Sequence, residues 1–219
     1  MPSSEPRVPA WAKYVVIGLL AGLLSGLFGV GGGTVIVPLL LLLCGFDARL
    51  AAGTSLAAIV ATSIVGVISY ALVGSVSWLA ALLLALGAVV GAQLGTWLLP
   101  RLPLLVLQWG FVGFLVVVVV NLFLVVPSRD VELVIGWATG AGLLAVGLVT
   151  GVLAGLLGVG GGIVVVPALI LLFGASDLVA KGTSLLMMIP TALSGTIGNL
   201  KRDNVDLTAA LCIAAGGCA

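Results

Sequence analysis

Three stretches of this chain, residues 50–73, 78–99 and 104–126, each run for more than twenty residues without a charged side chain. An α-helix needs about 20 apolar residues to cross the ~30 Å hydrocarbon core of a bilayer. In lipid every backbone N–H and C=O must find its partner inside the protein, so such stretches fold as helices. Composition agrees: charged residues are 7% of the 219, against about 25% in a soluble domain. So little charge cannot clothe a water-facing surface. The expected fold class is an all-α polytopic membrane protein, multi-pass in the cell membrane, with the lipid bilayer as its first partner. The net charge of +1 excludes electrostatic capture of nucleic acid. The apolar run that follows Lys13 continues into a glycine cluster without a small-residue cleavage site, so it is not a cleaved signal peptide. Cys44, Cys212 and Cys218 lack CxxC or Cys/His spacing and read as small apolar residues.

One passage is written twice. "GLFGVGGGTVIVP" at residues 26–38 returns as "GLLGVGGGIVVVP" at residues 155–167. At the offset of 129 that this sets (Gly26 to Gly155), residues 22–66 align with 151–195 without a gap, and about half the positions are identical. Shared apolar composition does not produce such a match, so the chain is read as a duplication. "AGTS" at 52–55 meets "KGTS" at 181–184, and Pro38 meets Pro167. The expected organisation is an N-terminal flank (1–13), a first transmembrane repeat (14–126), a connecting loop "PSRDVE" (127–132) and a second repeat (133–219). At the same offset Ala219 falls on Val90, just before "GAQLGTW". The second repeat is therefore expected to be truncated and the chain to be a fragment.

Each glycine costs a helix interior about 1 kcal/mol, so clusters of them serve the backbone. A P-loop would need Gly-Lys-Ser/Thr, and a GxGxxG fingerprint a further glycine, where Thr34 and Ile163 stand. The outer glycines, in "GLLSG" (22–26) and "GVLAG" (151–155), suit close helix packing. Three in succession favour an interrupted helix, and interrupted helices at matching places in two repeats point to a transporter's binding site. Where the chain re-enters a helix at Thr34 or Ile163, free N–H groups attract anions without a cationic side chain. The expected site therefore joins Gly31, Gly32 and Gly33 with Gly160, Gly161 and Gly162 in one cavity. Thr54, Ser55, Thr183 and Ser184 are expected nearby, as helix caps or as hydroxyl donors to the anion. Gln93 and Asn199 are amides in apolar runs that need partners, either across helices or on the substrate. Lys181, which Ala52 replaces in the other repeat, reads as a loop charge.

With these motifs and "GNLKRDNVD" at residues 198–206 in view, the chain resembles the TauE/SafE sulfite exporter family, also called TSUP. The resemblance implies an integral transporter for small anions such as sulfite, sulfonates or related sulfur-containing or carboxylate anions, with no cofactor and no metal. It leaves room for a homo-oligomer. Two rival classes compete with this reading. An intramembrane hydrolase would need a Ser–His pair, paired aspartates or HExxH; histidine is absent and all five aspartates fall in predicted loops. A membrane scaffold or assembly subunit that moves nothing is the alternative, and anion flux separates it from a transporter.

The glycine run also forces a choice of topology. Residues 11–44 cross the membrane once, giving parallel repeats, or dip in and return to the same side, giving inverted ones. Lys and Arg accumulate on the cytoplasmic side. With the N-terminus inside, one crossing puts Arg49, Arg101 and Lys181 outside, whereas a hairpin leaves only Arg129 and Lys181 there. Residues 14–28 and 34–44 would be about 22 and 16 Å long as helices, each too short to cross alone. Charge and length favour re-entrant hairpins and inverted repeats.

Overall fold

A computed structural model describes residues 10–101 and 136–219, with single positions 103, 109, 112, 113, 116 and 120 between them. The expected span at 104–126, apart from those positions, and the loop at 127–132 lie outside the described residues. Within them the chain forms α1 (Ala10–Phe28), α2 (Gly33–Cys44), α3 (Ala48–Leu72), α4 (Trp78–Leu98), α5 (Trp137–Leu157), α6 (Gly162–Phe173), α7 (Asp177–Leu200) and α8 (Leu207–Gly217). One 3-10 turn, Leu99–Arg101, follows α4. Helices α1, α3, α4, α5 and α7 are long and apolar enough to cross a membrane; α2, α6 and α8 are shorter.

Local chemistry sets the boundaries. The Asp47 carboxylate accepts from the N–H groups of Arg49 and Leu50 at 2.8 Å each, and Asp206 accepts from Ala209 at 3.0 Å. Ser176 accepts from Val179 at 3.4 Å. These are N-caps, meeting donors that the first helical turn cannot satisfy itself. Left-handed Gly45 and Gly174 close α2 and α6. The starts of α2 and α6, α3 and α7, and α4 and α8 are each 129 residues apart, the offset read from the sequence.

The long helices α3 and α7 cross antiparallel: Leu56 packs on Gly195 and Leu185 on Gly66, each leucine methyl 2.9 Å from where a glycine Cβ would lie. Around them α4 pairs with α5 and α1 with α8, both parallel in register, while α2 lies on α3 and α6 on α7. Exchanging the two halves maps this contact set onto itself, as a twofold axis through the α3–α7 crossing would. Large apolar side chains such as Leu23, Leu72, Leu86 and Leu211 remain exposed on the outside, as a lipid-facing surface requires.

Helix α2 runs back along α1. The Lys13 ammonium donates to the Leu43 carbonyl at 3.3 Å, and the Tyr14 and Phe46 rings meet edge-on at 6.2 Å. The end of α2 therefore lies beside the start of α1. The two arms are unequal, which corrects the lengths expected from sequence. α1 has 19 residues, about 28 Å, and spans most of a bilayer core by itself; α2 has 12, about 18 Å, and does not. The helix starts before Tyr14 because it accommodates Lys13, whose ammonium donates to the Leu43 carbonyl at the C-terminal end of α2, where a cation is favoured.

Candidate functional site

The four residues between α1 and α2 explain the motif letter by letter. Gly29, Gly31 and Gly32 have φ of 68°, 73° and 77°, and Gly158, Gly160 and Gly161 have 71°, 80° and 89°. A side chain in that left-handed region costs roughly 1–2 kcal/mol per residue. Only the second position of each turn, Val30 or Val159, lies outside that region, so only there is a side chain free of that strain.

Each turn ends as the N-cap of a short helix. Val35 and Ile36 donate to the Gly32 carbonyl at 3.0 Å, and Val164 and Val165 to that of Gly161 at 3.1 Å. A glycine cap carries no side-chain oxygen, so the N–H groups of Gly33 and Thr34, and of Gly162 and Ile163, find no acceptor within their own helix. The two helix starts then meet. A Cβ on Gly33 would lie 2.6 Å from Val159 Cα and 2.8 Å from the Gly158 oxygen; one on Gly162 would lie 2.7 Å from the Gly29 oxygen and 2.9 Å from Val30 Cα. Backbone touches backbone, which only glycine permits.

Serines clamp this junction. Ser55 Oγ donates to the Gly158 carbonyl at 2.7 Å, and Ser184 Oγ to the Gly29 carbonyl at 2.6 Å, so each half holds the other half's turn. Met188 Cε packs against the Cα of Gly31 and Gly160, and Ile59, the residue matching Met188 in the other repeat, reaches both as well. Both side chains are fully buried. Where the sequence led one to expect an open cavity, the turns are packed together with these two side chains between them.

The remaining expected site residues lie elsewhere. Thr54 Oγ1 accepts the Asp206 N–H at 3.0 Å and Thr183 Oγ1 the Ser77 N–H at 3.0 Å, tying α3 to the start of α8 and α7 to the start of α4. Gln93 is on the exposed side of α4, its amide donating to the Ser194 carbonyl and hydroxyl at 2.7 and 2.8 Å. Asn199 is fully buried and donates to the Gly195 carbonyl at 3.0 Å; its Oδ1 is buried without a partner among the described residues. Sequence reasoning missed Ile59 and Met188, although their shared place in the repeat was a signal. It also missed Tyr70, whose hydroxyl donates to the Gly26 carbonyl at 2.8 Å, and the position of Lys181 inside α7.

Each helix start carries a partial positive charge of roughly half an elementary charge, and the two starts meet at this junction.

The sequence profile described as "Sulfite exporter TauE/SafE" matches residues 2–122 and 143–219. The chain is similar to the probable membrane transporter protein YunE of Bacillus subtilis (strain 168), 28% identical over 225 residues that cover 92% of this chain and 82% of that protein. A probable membrane transporter protein of Xylella fastidiosa (strain 9a5c) is 34% identical over 205 residues, covering 91% and 78%. Probable membrane transporter protein MJ0441 of Methanocaldococcus jannaschii is 26% identical over 162 residues, covering 71% and 60%. No solved structure matches the chain.

Proposed function

This chain belongs to the sulfite exporter TauE/SafE family of membrane transporters, and from that premise we propose that it carries small anions through the junction of its two glycine turns. One observation carries the reading: two half-helix N-termini, one from each repeat, lie backbone to backbone at the middle of the α3–α7 pair. An oxyanion such as sulfite, a sulfonate or a carboxylate accepts several N–H bonds at once, which is what two uncapped helix starts offer. Met188 and Ile59 fill the junction, so this conformation is closed, and passage requires both side chains to withdraw. Flux in proteoliposomes with sulfite, sulfoacetate and thiosulfate in turn tests the reading. The wild type is expected to carry at least one of them, and Gly161→Leu to abolish flux while leaving membrane insertion intact. A wild type that moves none of the three leaves the scaffold as the better account.

The orientation follows from charge. Lys13, Arg49, Arg101, Lys201 and Arg202 lie at the end of the bundle where α1 and α3 start; Arg49, for example, donates to the Pro100 carbonyl at 3.2 Å. Lys181 lies towards the other end. Placing the cation-rich end in the cytoplasm puts the N-terminus inside. With α3 and α7 antiparallel, the repeats are then inverted across the membrane, and each glycine turn is the tip of a re-entrant hairpin. A cysteine at Asp47 in a Cys-free background should be labelled from the same side as the N-terminus; labelling from the opposite side refutes the hairpin.

A further inference from the structure

The two halves match in backbone at the junction but not in charge. Lys181 stands in the second turn of α7, its ammonium 2.7 Å from Asp177 Oδ2, with the two side chains 17% and 30% exposed. The matching residues of α3 are Ala52 and Ala48. Lys181 packs directly on the first turn: its Cα and Cβ lie 2.7 and 2.6 Å from where a Cβ on Gly29 would be. Its carbonyl also accepts from Ser184 Oγ at 2.9 Å, the same hydroxyl that holds the Gly29 carbonyl. At the other turn, Gly158 packs in the same way on Ala52, which brings no charge.

A mostly buried lysine in a membrane-crossing helix is expensive to keep and marks a functional place by default. Support of the helix start does not require the cation: α3 starts on its own acidic cap, Asp47, with Ala52 where Lys181 stands. Building on the reading of the junction as an anion path, we propose that Lys181 is the cation that receives the transported anion at the mouth beside Gly29. The Asp177 carboxylate holds the ammonium until an anionic oxygen of the substrate replaces it. Lys181 then sets affinity at the mouth beside Gly29, whereas at the matching place beside Gly158 stands the neutral Ala52. With the cation-rich end in the cytoplasm, the mouth beside Gly29 is the outer one.

The sign of two substitutions tests this in proteoliposomes, using whichever of sulfite, thiosulfate or sulfoacetate the wild type carries. Lys181→Gln should raise the half-saturating concentration about tenfold, the scale of one charge-assisted hydrogen bond, with maximal flux little changed. Lys181→Arg should restore it. Asp177→Asn, which frees the ammonium from its competitor, should lower it. If the pair only braced α7, both neutral variants would lose the same contact and shift together. A shift in the same direction, or none, overturns the proposal. Should Lys181→Gln fail to insert, Asp177→Asn decides alone: an unchanged or raised half-saturating concentration overturns it. A wild type that carries none of the three anions removes the transport reading itself and is recognised before any variant is compared.

Discussion

Helix pairs α4–α5 and α3–α7 both set glycines into their seams, yet they fill the space differently. Between α4 and α5, Gly87, Gly91 and Gly95 face Gly147, Gly151 and Gly155, and a Cβ on any of the six would run into backbone of the opposite helix. Between α3 and α7, a Cβ on Gly66 or Gly195 would meet a leucine methyl instead, of Leu185 or Leu56. A glycine is required where a second backbone is seated against it. Where a side chain is seated instead, that side chain can turn and the glycine is less constrained. Spacing alone therefore identifies a groove but not what fills it.

The sharpest way to break that comparison is to put one side chain into both grooves. Gly151→Leu drives Cβ into the Ala88 carbonyl, backbone that no rotamer change can move aside. Overpacking typically costs about 1–3 kcal/mol and more where backbone must shift. The folded yield and melting temperature in detergent should fall steeply. Gly66→Leu meets the end of the Leu185 side chain, which can turn aside, and should cost less, about 1–3 kcal/mol. Equal losses would show that the Leu185 methyl is held as firmly as backbone and that the two grooves do not differ.

A similar contrast shows what was legible beforehand. The helical class and the matched pair of glycine turns follow from apolar length and the duplication. The helix starts did not: the Gly-Thr-Ser triplets read as caps, whereas Asp47 and Ser176 cap α3 and α7 more than a turn earlier. The lengths of the hairpin arms did not follow, because Lys13 sits inside α1 and ends its charge on the Leu43 carbonyl. Lys181 was misplaced for a related reason: a charge looks like a loop residue until its i−4 partner, Asp177, is seen on the same helix face. Gln93 and Asn199 are polar residues that belong to helix seams, and nothing in their spacing separates that use from a binding one. The triplet Gly-Thr-Ser was the hardest to divide. Neighbouring residues point about 100° apart on a helix, and without the position of the other repeat neither hydroxyl has a claim on the turn.

That last ambiguity gives the finest test, because the two hydroxyls of each triplet have different work. Ser55 and Ser184 are fully buried and donate across the repeat to the Gly158 and Gly29 carbonyls. Ser184→Ala leaves a buried carbonyl without that donor, which costs about 1–3 kcal/mol, and it loosens the junction, so stability and maximal flux should both fall. Ser55→Ala should match it, since the bond lengths differ by only 0.1 Å. Thr54→Val and Thr183→Val should do less. Their hydroxyls accept from the Asp206 and Ser77 N–H groups next to helix starts at the ends of the bundle. Water can take over part of that role, so the expected loss is about 0.5–1.5 kcal/mol. Valine keeps the volume and the branched shape, which leaves packing unchanged. The half-saturating anion concentration should therefore stay at the wild-type value in both threonine variants while the melting temperature drops slightly. A clear rise in that concentration would return the threonines to the anion path, as their place beside the glycines in the sequence first suggests. It would also erase the distinction between the hydroxyl that holds the turn and the one that holds the loop.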